Sequence, residues 1–457
     1  MSHVSSTREE SAVDGVATEV QQVFVHGELP VAVHGLGKMG LPLAAAFAEV
    51  CGNVTGVDTD PSVVDTVNAG DCHVKNEPEL PSLVDDLVTT GALTVTADGV
   101  QAAIDSRIHV VIIPTPITSD RQPDLSILDA VIDTIGTGLD AGDIVLIEST
   151  VPPGTTQERV LPQLCEWSGL EPGDFALAFC PERTSSGRAL RDIRGAYPKV
   201  VGGVDEESTR VAAAIYETIN DAGVIPTADA TTAEAVKVFE GLYRDVNIAL
   251  ANELGSLTDD LGIDVREAID VANTQPFCDL HDPGPGVGGH CIPYYPYFVI
   301  DTVDGPTELL ETARAVNDAM PAYTVGKLAE EFEAEGNSLE GSSVLLLGLT
   351  YRPGVEEVRA SPAIPIASEL SDRGAEVYGV DPMLDDFDAF DIEPLAHEDI
   401  YSREFDGVVL VTPHDEFERI RWDDLGAPSG SLVVIDGRDA LDVDAAFPHR
   451  VYTLGSG

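Results

Sequence analysis

Three groups of residues in this chain carry side chains that could do chemistry together. The first is Cys291, inside the run Pro283-Gly-Pro-Gly-Val-Gly-Gly-His-Cys291-Ile-Pro293. So much glycine around one thiol lets the backbone pack against a ligand and turn N–H groups toward it. A thiolate is a nucleophile of covalent catalysis and works from such an exposed, donor-rich place. The competing reading, a cysteine buried in a structural turn, is weakened by the glycine density. The second group is the run Ala233-Glu-Ala-Val-Lys237-Val-Phe-Glu-Gly-Leu-Tyr-Arg244-Asp-Val-Asn247. Lys237 and Arg244 are seven apart and share a helix face. A lysine among apolar neighbours can stabilise a developing oxyanion or bind a substrate anion. The third group is Gly35-Leu36-Gly37-Lys38-Met39-Gly40, followed by Asp58.

That third pattern means little alone, but here a short apolar strand (29–34) precedes it and an Ala-rich helix follows. Glycines in that place allow a tight turn and let a pyrophosphate reach the helix N-terminus. The acid ending the next strand is placed for the ribose 2′-OH, which favours NAD over NADP. A helix-cap role for Asp58 is less attractive, because Asp60-Pro61 already supplies a cap and a first-turn proline.

The elements that must position these groups read as α/β. Strand-like runs fall at 53–58, 93–96, 109–114, 144–148 and 175–180, with helical patterns between most of them, so a parallel sheet covered on both faces is expected. From about 231 to 261 apolar residues recur at near-helical spacing with no internal proline, the mark of a core pillar or a dimerisation element. A Gly/Pro-rich loop at 281–296 and a helical stretch at 307–334 follow. A second α/β run has strands near 344–349, 376–380, 407–412 and 432–436. The expected organisation is an acidic flexible arm (1–28), a dinucleotide-binding Rossmann domain (29–228), a central helical domain with the Cys291 loop (229–338) and a C-terminal α/β domain (339–457). The fold class is thus two Rossmann-like α/β domains joined by a long central helix.

Composition narrows the function classes. The 457 residues carry 80 acidic and 25 basic side chains, a formal net charge of -55, and only five of the cations are lysine. Phosphate neutralisation needs clustered Lys and Arg, so neither nucleic acid nor an anionic membrane is an expected partner. Self-repulsion of this size is tolerable where salt screens it, which is the composition of an extreme halophile's cytosol. Six scattered cysteines make neither a disulfide scaffold nor a C-x-x-C zinc site. No signal peptide and no run of about 18 apolar residues is seen, so a soluble cytoplasmic protein is expected.

Taken together, these residues resemble the UDP-glucose/GDP-mannose dehydrogenase family over about 29–440. Beyond the groups above, the resemblance rests on Pro114-Thr-Pro116, Glu148-Ser-Thr-Val-Pro-Pro-Gly154, Cys180-Pro-Glu-Arg183, Arg352-Pro-Gly-Val-Glu-Glu-Val-Arg-Ala-Ser-Pro362 and His414-Asp-Glu-Phe417. It implies oxidation of a sugar C6 alcohol to a carboxylate with two NAD. Cys291 would form a thiohemiacetal and then a thioester, and Lys237 would stabilise the oxyanions. Glu182 and Thr150 would position water and substrate, with Thr150 also binding the cofactor and Thr115 lining the nicotinamide site. Leu36, Lys38 and Met39 would join the three glycines and Asp58 around the cofactor, with Arg359 reaching it across an interface. Arg183, Arg244, Gly288 and Arg352 would contact a UDP-sugar held by the second α/β domain, in a homodimer or larger homo-oligomer. Cys180-Pro-Glu-Arg183 with Tyr243-Arg-Asp-Val-Asn-Ile-Ala is similar to the UDP-N-acetylmannosamine type. The chain departs from the family pattern at Gly241, where an asparagine is usual, at Tyr295, where an aspartate is usual, and at Gln275-Pro-Phe277 in place of His-Pro-Arg. Two other readings remain: a nucleotide-sugar-binding paralogue with impaired turnover, and a two-electron β-hydroxyacid dehydrogenase, which leaves the Cys291 loop without a use.

Overall fold

The structure is a computed structural model and describes residues 18–443 and 447–456. Packing divides the chain into two compact units. One holds the described residues up to Phe239 together with Tyr297–Thr302; the other holds Glu240–Pro296 and the described residues from Val303 onward. Packing thus groups the helical segment beyond Glu240 with the C-terminal sheet, where the sequence pattern marked off 229–338 as a part of its own.

The first unit is built on strands β1 (Val31–His34), β2 (Val54–Val57), β3 (Leu93–Thr96), β4 (Ile108–Val111), β5 (Ile144–Ile147), β6 (Ala176–Phe179), β7 (Lys199–Gly203) and β8 (Val224–Pro226), in sheet order β3-β2-β1-β4-β5-β6-β7-β8. Neighbours from β3 to β6 run parallel, β7 is antiparallel to β6, and β8 is parallel to β7. Every residue of β1, β4 and β5 is buried, which explains their largely apolar sequence, broken by His34 in β1 and His109 in β4. β1 pairs with both β2 and β4, so the order reverses on its two sides. Ligands bind such sheets beyond the carboxyl ends at that reversal. The five expected strands after β1 are present, while β7 and β8 had no sequence signal: one ends in two glycines and the other is three residues long.

The expected arm needs correction over its second half. Residues 18–25 are helical, and Phe24 is fully buried, edge-on to Phe47 at 5.9 Å. Residues 1–17 lie outside the described part.

The second unit carries β9 (Ser343–Leu347), β10 (Glu376–Val380), β11 (Glu393–Pro394), β12 (Gly407–Leu410), β13 (Val433–Asp436) and β14 (Arg450–Thr453), all parallel, in order β11-β10-β9-β12-β13-β14. The long helix is continuous over Ala230–Ser256 and gives way to a short helix, Thr258–Leu261, closed by Gly262 in the left-handed conformation. A second 27-residue helix, Glu308–Ala334, continues through Pro321. The two are tied inside the second unit by a buried ion pair, Arg314 Nη1 to Asp245 Oδ1 at 2.6 Å, and by Asn252 to Asn317 at 2.9 Å.

Candidate active site

The glycine loop after β1 shows what each glycine is for. Gly35 has φ +96°, and a Cβ there would stand 2.3 Å from the carbonyl oxygen of Ile112. A Cβ on Gly40 would stand 2.0 Å from the carbonyl oxygen of Gly35, so the helix can approach the strand only without it. A Cβ on Gly37 would meet nothing within 4 Å, which leaves that side of the middle of the loop open to a ligand. Asp58, at the end of β2, accepts the Leu36 N–H at 2.9 Å on one oxygen and the Asp60 N–H at 3.0 Å on the other. Asp60 itself caps the next helix through the Ser62 N–H, with Pro61 in the first turn. A tight turn, an open central glycine and a carboxylate fixed at the neighbouring strand end are a fit for the dinucleotide NAD.

Beyond β4 and β5 the loops are braced by hydrogen bonds between them. Thr115 Oγ1 donates to the Thr150 carbonyl at 2.5 Å, and the Ile113 N–H donates to Ser149 Oγ at 2.8 Å. The loop then turns through Gly154, whose N–H donates to Glu234 at 2.5 Å, while the Thr156 N–H reaches the other Glu234 oxygen at 2.7 Å. Glu234 is fully buried on the long helix, and burial pushes its carboxyl up to about 7 despite those two donors.

Three residues further on, Lys237 is 7% exposed. Its ammonium donates to the Glu182 carbonyl oxygen and lies 3.6 Å from the Glu182 carboxylate. Burial acts to raise the Glu182 carboxyl, but the Lys237 charge and the Thr184 N–H and hydroxyl outweigh it and hold it below the usual range. Glu148 is also buried, with Lys199 Nζ at 2.6 Å and the Tyr216 hydroxyl as partners; there burial wins and the carboxyl is pushed up. Met39, Glu148, Glu182, Arg183, Tyr197 and Lys199 line one pocket, with the Arg183 guanidinium 5.3 Å above the Tyr197 ring. The Thr184 hydroxyl reaches Met39 Sδ at 3.1 Å and so joins this pocket to the glycine loop. Sequence reasoning missed Lys199, Tyr216 and Glu234. The one available signal was that a chain with five lysines places one at 199.

In the second unit the segment leading to Cys291 is fastened from the long helix. Asn247 donates to the Asp279 carbonyl at 2.7 Å and accepts the His281 N–H at 2.9 Å, and Asn252 accepts the Gly284 N–H at 2.9 Å. Arg266 adds a bond to the Pro283 carbonyl at 2.6 Å. Gly288, assigned from the resemblance to the substrate, makes room first of all for protein: a Cβ there would meet Tyr351 Cβ at 2.7 Å and the Ala360 carbonyl oxygen at 2.8 Å. The Gly289 N–H donates to the Arg359 carbonyl at 2.9 Å. His290 pairs with Glu357. Cys291 is exposed, while the other five cysteines are buried or partly buried. Burial raises the Cys51 and Cys180 thiols, which keeps them protonated. Arg244, Arg352 and Arg359 are exposed, and Arg359 Nε lies 3.9 Å from Glu357. At the end of β10, Asp381 accepts the N–H groups of Leu349 and Thr350 at 2.7 and 2.8 Å and faces His414 at 3.1 Å. Asp381 thus repeats at β9/β10 what Asp58 does at β1/β2, and the His414 side chain is committed to holding it.

These two halves match known proteins over most of their length. Models of the UDP-glucose/GDP-mannose dehydrogenase family match in order: its NAD binding domain over residues 29–220, its central domain over 231–319 and its UDP binding domain over 345–443. The chain belongs to the UDP-glucose/GDP-mannose dehydrogenase family. It is an NAD-dependent oxidoreductase acting on a nucleotide sugar. Among its relatives is the UDP-N-acetyl-D-mannosamine dehydrogenase of Pyrococcus horikoshii, 36% identical over 417 residues, or 90% of this chain and 96% of that one. Another is the NDP-N-acetyl-D-galactosaminuronic acid dehydrogenase of Ralstonia nicotianae, 35% identical over 89% of this chain and 95% of that one. A solved structure of the Pyrococcus horikoshii UDP-D-ManNAc dehydrogenase superposes with a TM-score of 0.83 at 33% identity, covering 93% of this chain and 99% of that chain. Among the described residues no helix is long and apolar enough to cross a membrane.

Proposed function

We propose that this dehydrogenase oxidises the C6 alcohol of a UDP-N-acetylhexosamine, with UDP-N-acetylmannosamine the first choice, to the carboxylate in two successive two-electron steps. The substrate class is supported by the names of the relatives and by the Cys180-Pro-Glu-Arg183 and Tyr243-Arg-Asp-Val-Asn runs. NAD, when bound, supplies the hydride acceptor for both oxidations. Gly37 and Asp58 hold its pyrophosphate and ribose ends, and Thr115 and Thr150 flank the nicotinamide. The Cys291 thiolate adds to the aldehyde carbon, forming a C–S bond and an alkoxide. Loss of hydride from that carbon gives a thioester. Water attacks the thioester carbonyl, the C–S bond breaks, and the carboxylate leaves with the thiol regenerated. Lys237 supplies positive charge to the alkoxide and to the tetrahedral oxyanion. Glu182, kept ionised, holds that ammonium and orients the attacking water. Arg183, Arg244 and Arg352 are proposed to meet the diphosphate and sugar, and Arg359 the cofactor.

The observation that carries this reading is the exposure of Cys291 alone among six cysteines. The experiment is the stoichiometry: two NADH per sugar for the native enzyme, and no carboxylate product from Cys291→Ala. One NADH per sugar, or an unaffected alanine variant, would sink the covalent route. A screen of UDP-ManNAc, UDP-GlcNAc, UDP-GalNAc, UDP-glucose and GDP-mannose in concentrated KCl decides the sugar. Gly241 and Tyr295 favour a second reading, a binding paralogue with impaired turnover. Calorimetric binding of NAD and UDP-sugars without NADH release would select it.

A further inference from the structure

Two unusual residues of the second unit meet each other. Gly241 lies on the long helix one turn past Lys237, and Tyr295 lies four residues past Cys291. A Cβ built on Gly241 would stand 2.2 Å from Tyr295 Cδ2, 3.0 Å from Cγ and 3.1 Å from Cβ, inside the edge of the ring. Gly241 is buried, and Tyr295 is 7% exposed. Gly241 is absent from the residues with positive φ and stands in mid-helix, where only proline is a poorer helix former. Backbone conformation therefore gives no reason for glycine here; the ring does. The Tyr295 N–H donates to the Cys291 carbonyl at 2.9 Å, and the Tyr294 N–H donates to the same oxygen at 3.0 Å. Ring and thiol are thus the two ends of one turn.

We propose that Tyr295 is a positioning residue: its ring, keyed into the notch at Gly241, fixes the turn that carries Cys291 onto the long helix and so sets where the thiol stands. The proposal rests on Cys291 being the nucleophile. It explains why positions 241 and 295 depart from the family pattern together: a side chain at 241 and this ring at 295 cannot coexist.

The test uses the full-length enzyme in G241A, Y295A, Y295F and G241A/Y295A forms. The readouts are kcat, KM, NAD affinity and the rate of Cys291 alkylation by iodoacetamide, followed by mass spectrometry. Displacing a nucleophile by an ångström costs on the order of 10²-fold. G241A and Y295A are each expected to lower kcat by about 10- to 100-fold and to change the alkylation rate several-fold, while NAD affinity is retained. Y295F, which keeps the ring, should restore kcat to within about threefold. Introducing G241A into the Y295A background should cost nothing further, because the clash has gone. The two variants read the contact from opposite sides, so the failure of one to fold leaves the other. Fully additive losses, or near-native kcat in both single variants, overturn the proposal. Y295F as damaged as Y295A also overturns it, in favour of the hydroxyl as the acting group. A Cys291→Ala enzyme that still forms carboxylate defeats the nucleophile reading instead, and the alkylation rates of the other variants still report on the turn.

Discussion

Lys237 is a cation nearly out of water whose charge is answered by Glu182, and it holds the Glu182 carboxyl in its charged form. The sign of the coupling follows from burial. With the ammonium present, Glu182 stays ionised below its usual range; with it removed, the largest contribution opposing desolvation is lost, leaving the Thr184 donors and the Lys199 charge, and the carboxyl must rise. Lys237→Ala is therefore expected to do two things. It should lower kcat by about 10²–10³, the usual cost of losing an oxyanion donor. It should also move the acidic limb of the kcat/KM profile to higher pH. Glu182→Gln provides the control, since a glutamine at 182 has no such limb to move. A Lys237→Ala enzyme with a lower rate but an unshifted profile would show that the lysine acts on substrate alone and that its contact with Glu182 is only structural.

The loop from Ser149 to Thr156 is hydrogen-bonded to the long helix at Gly154 and Thr156 through Glu234, and that clamp carries a pH signature. The carboxyl is pushed from an ordinary 4.5 up to about 7 by burial, so between those values the folded protein retains a proton that the unfolded chain has lost. Unfolding free energy should fall as pH rises through that window, by up to about 1.4 kcal/mol per unit from this group, and be flat above it. Glu234→Gln removes the proton equilibrium and leaves one backbone N–H unanswered. Its stability difference from the native protein, followed by denaturant titration at pH 4.5 to 8, should shrink with rising pH. A constant difference would show that Glu234 is ionised throughout. This clamp was not legible in the sequence, where Glu234 is one more acid at the start of an amphipathic helix; its meaning comes from a loop 78–80 residues away. What was legible had local causes. β1, the glycine turn and Asp58 follow from sterics within 30 residues, and the central strands follow from burial on both faces. β8, β11 and β14 were missed because short edge strands leave no periodic trace, β7 because its apolar run is only two residues long and ends in two glycines, and Asp381 because a carboxylate that answers distant N–H groups leaves none either. Asp245 was read only as part of a motif, and its buried pairing with Arg314 depends on a helix 69 residues on. Arg244 beside it is exposed, so the helix turns adjacent charges to opposite tasks.

The whole molecule has a formal net charge of -55 and binds two anions, NAD and a nucleotide sugar. Cations do gather at the pocket of the first unit, where Lys199, Lys237 and Arg183 take part in its surroundings, but Glu148, Glu182 and Asp192 stand among them. Locally the charges come close to cancelling, so this cluster cannot by itself overcome the field of the remaining acids. Screening must do so. The Debye length falls from about 10 Å at 0.1 M salt to about 3 Å at 1 M. Lowering KCl from about 2 M to 0.2 M should therefore raise KM for the UDP-sugar severalfold before the fold fails, with kcat less affected, and should lower Tm as carboxylates repel. The two effects can be separated. Sucrose at low salt strengthens burial without screening charge, so it should recover Tm and leave KM high. If sucrose restores KM as well, the loss at low salt was one of folding. If KM stays constant down to the unfolding threshold, the few paired cations at the site suffice, and the acidic surface serves the solvent alone.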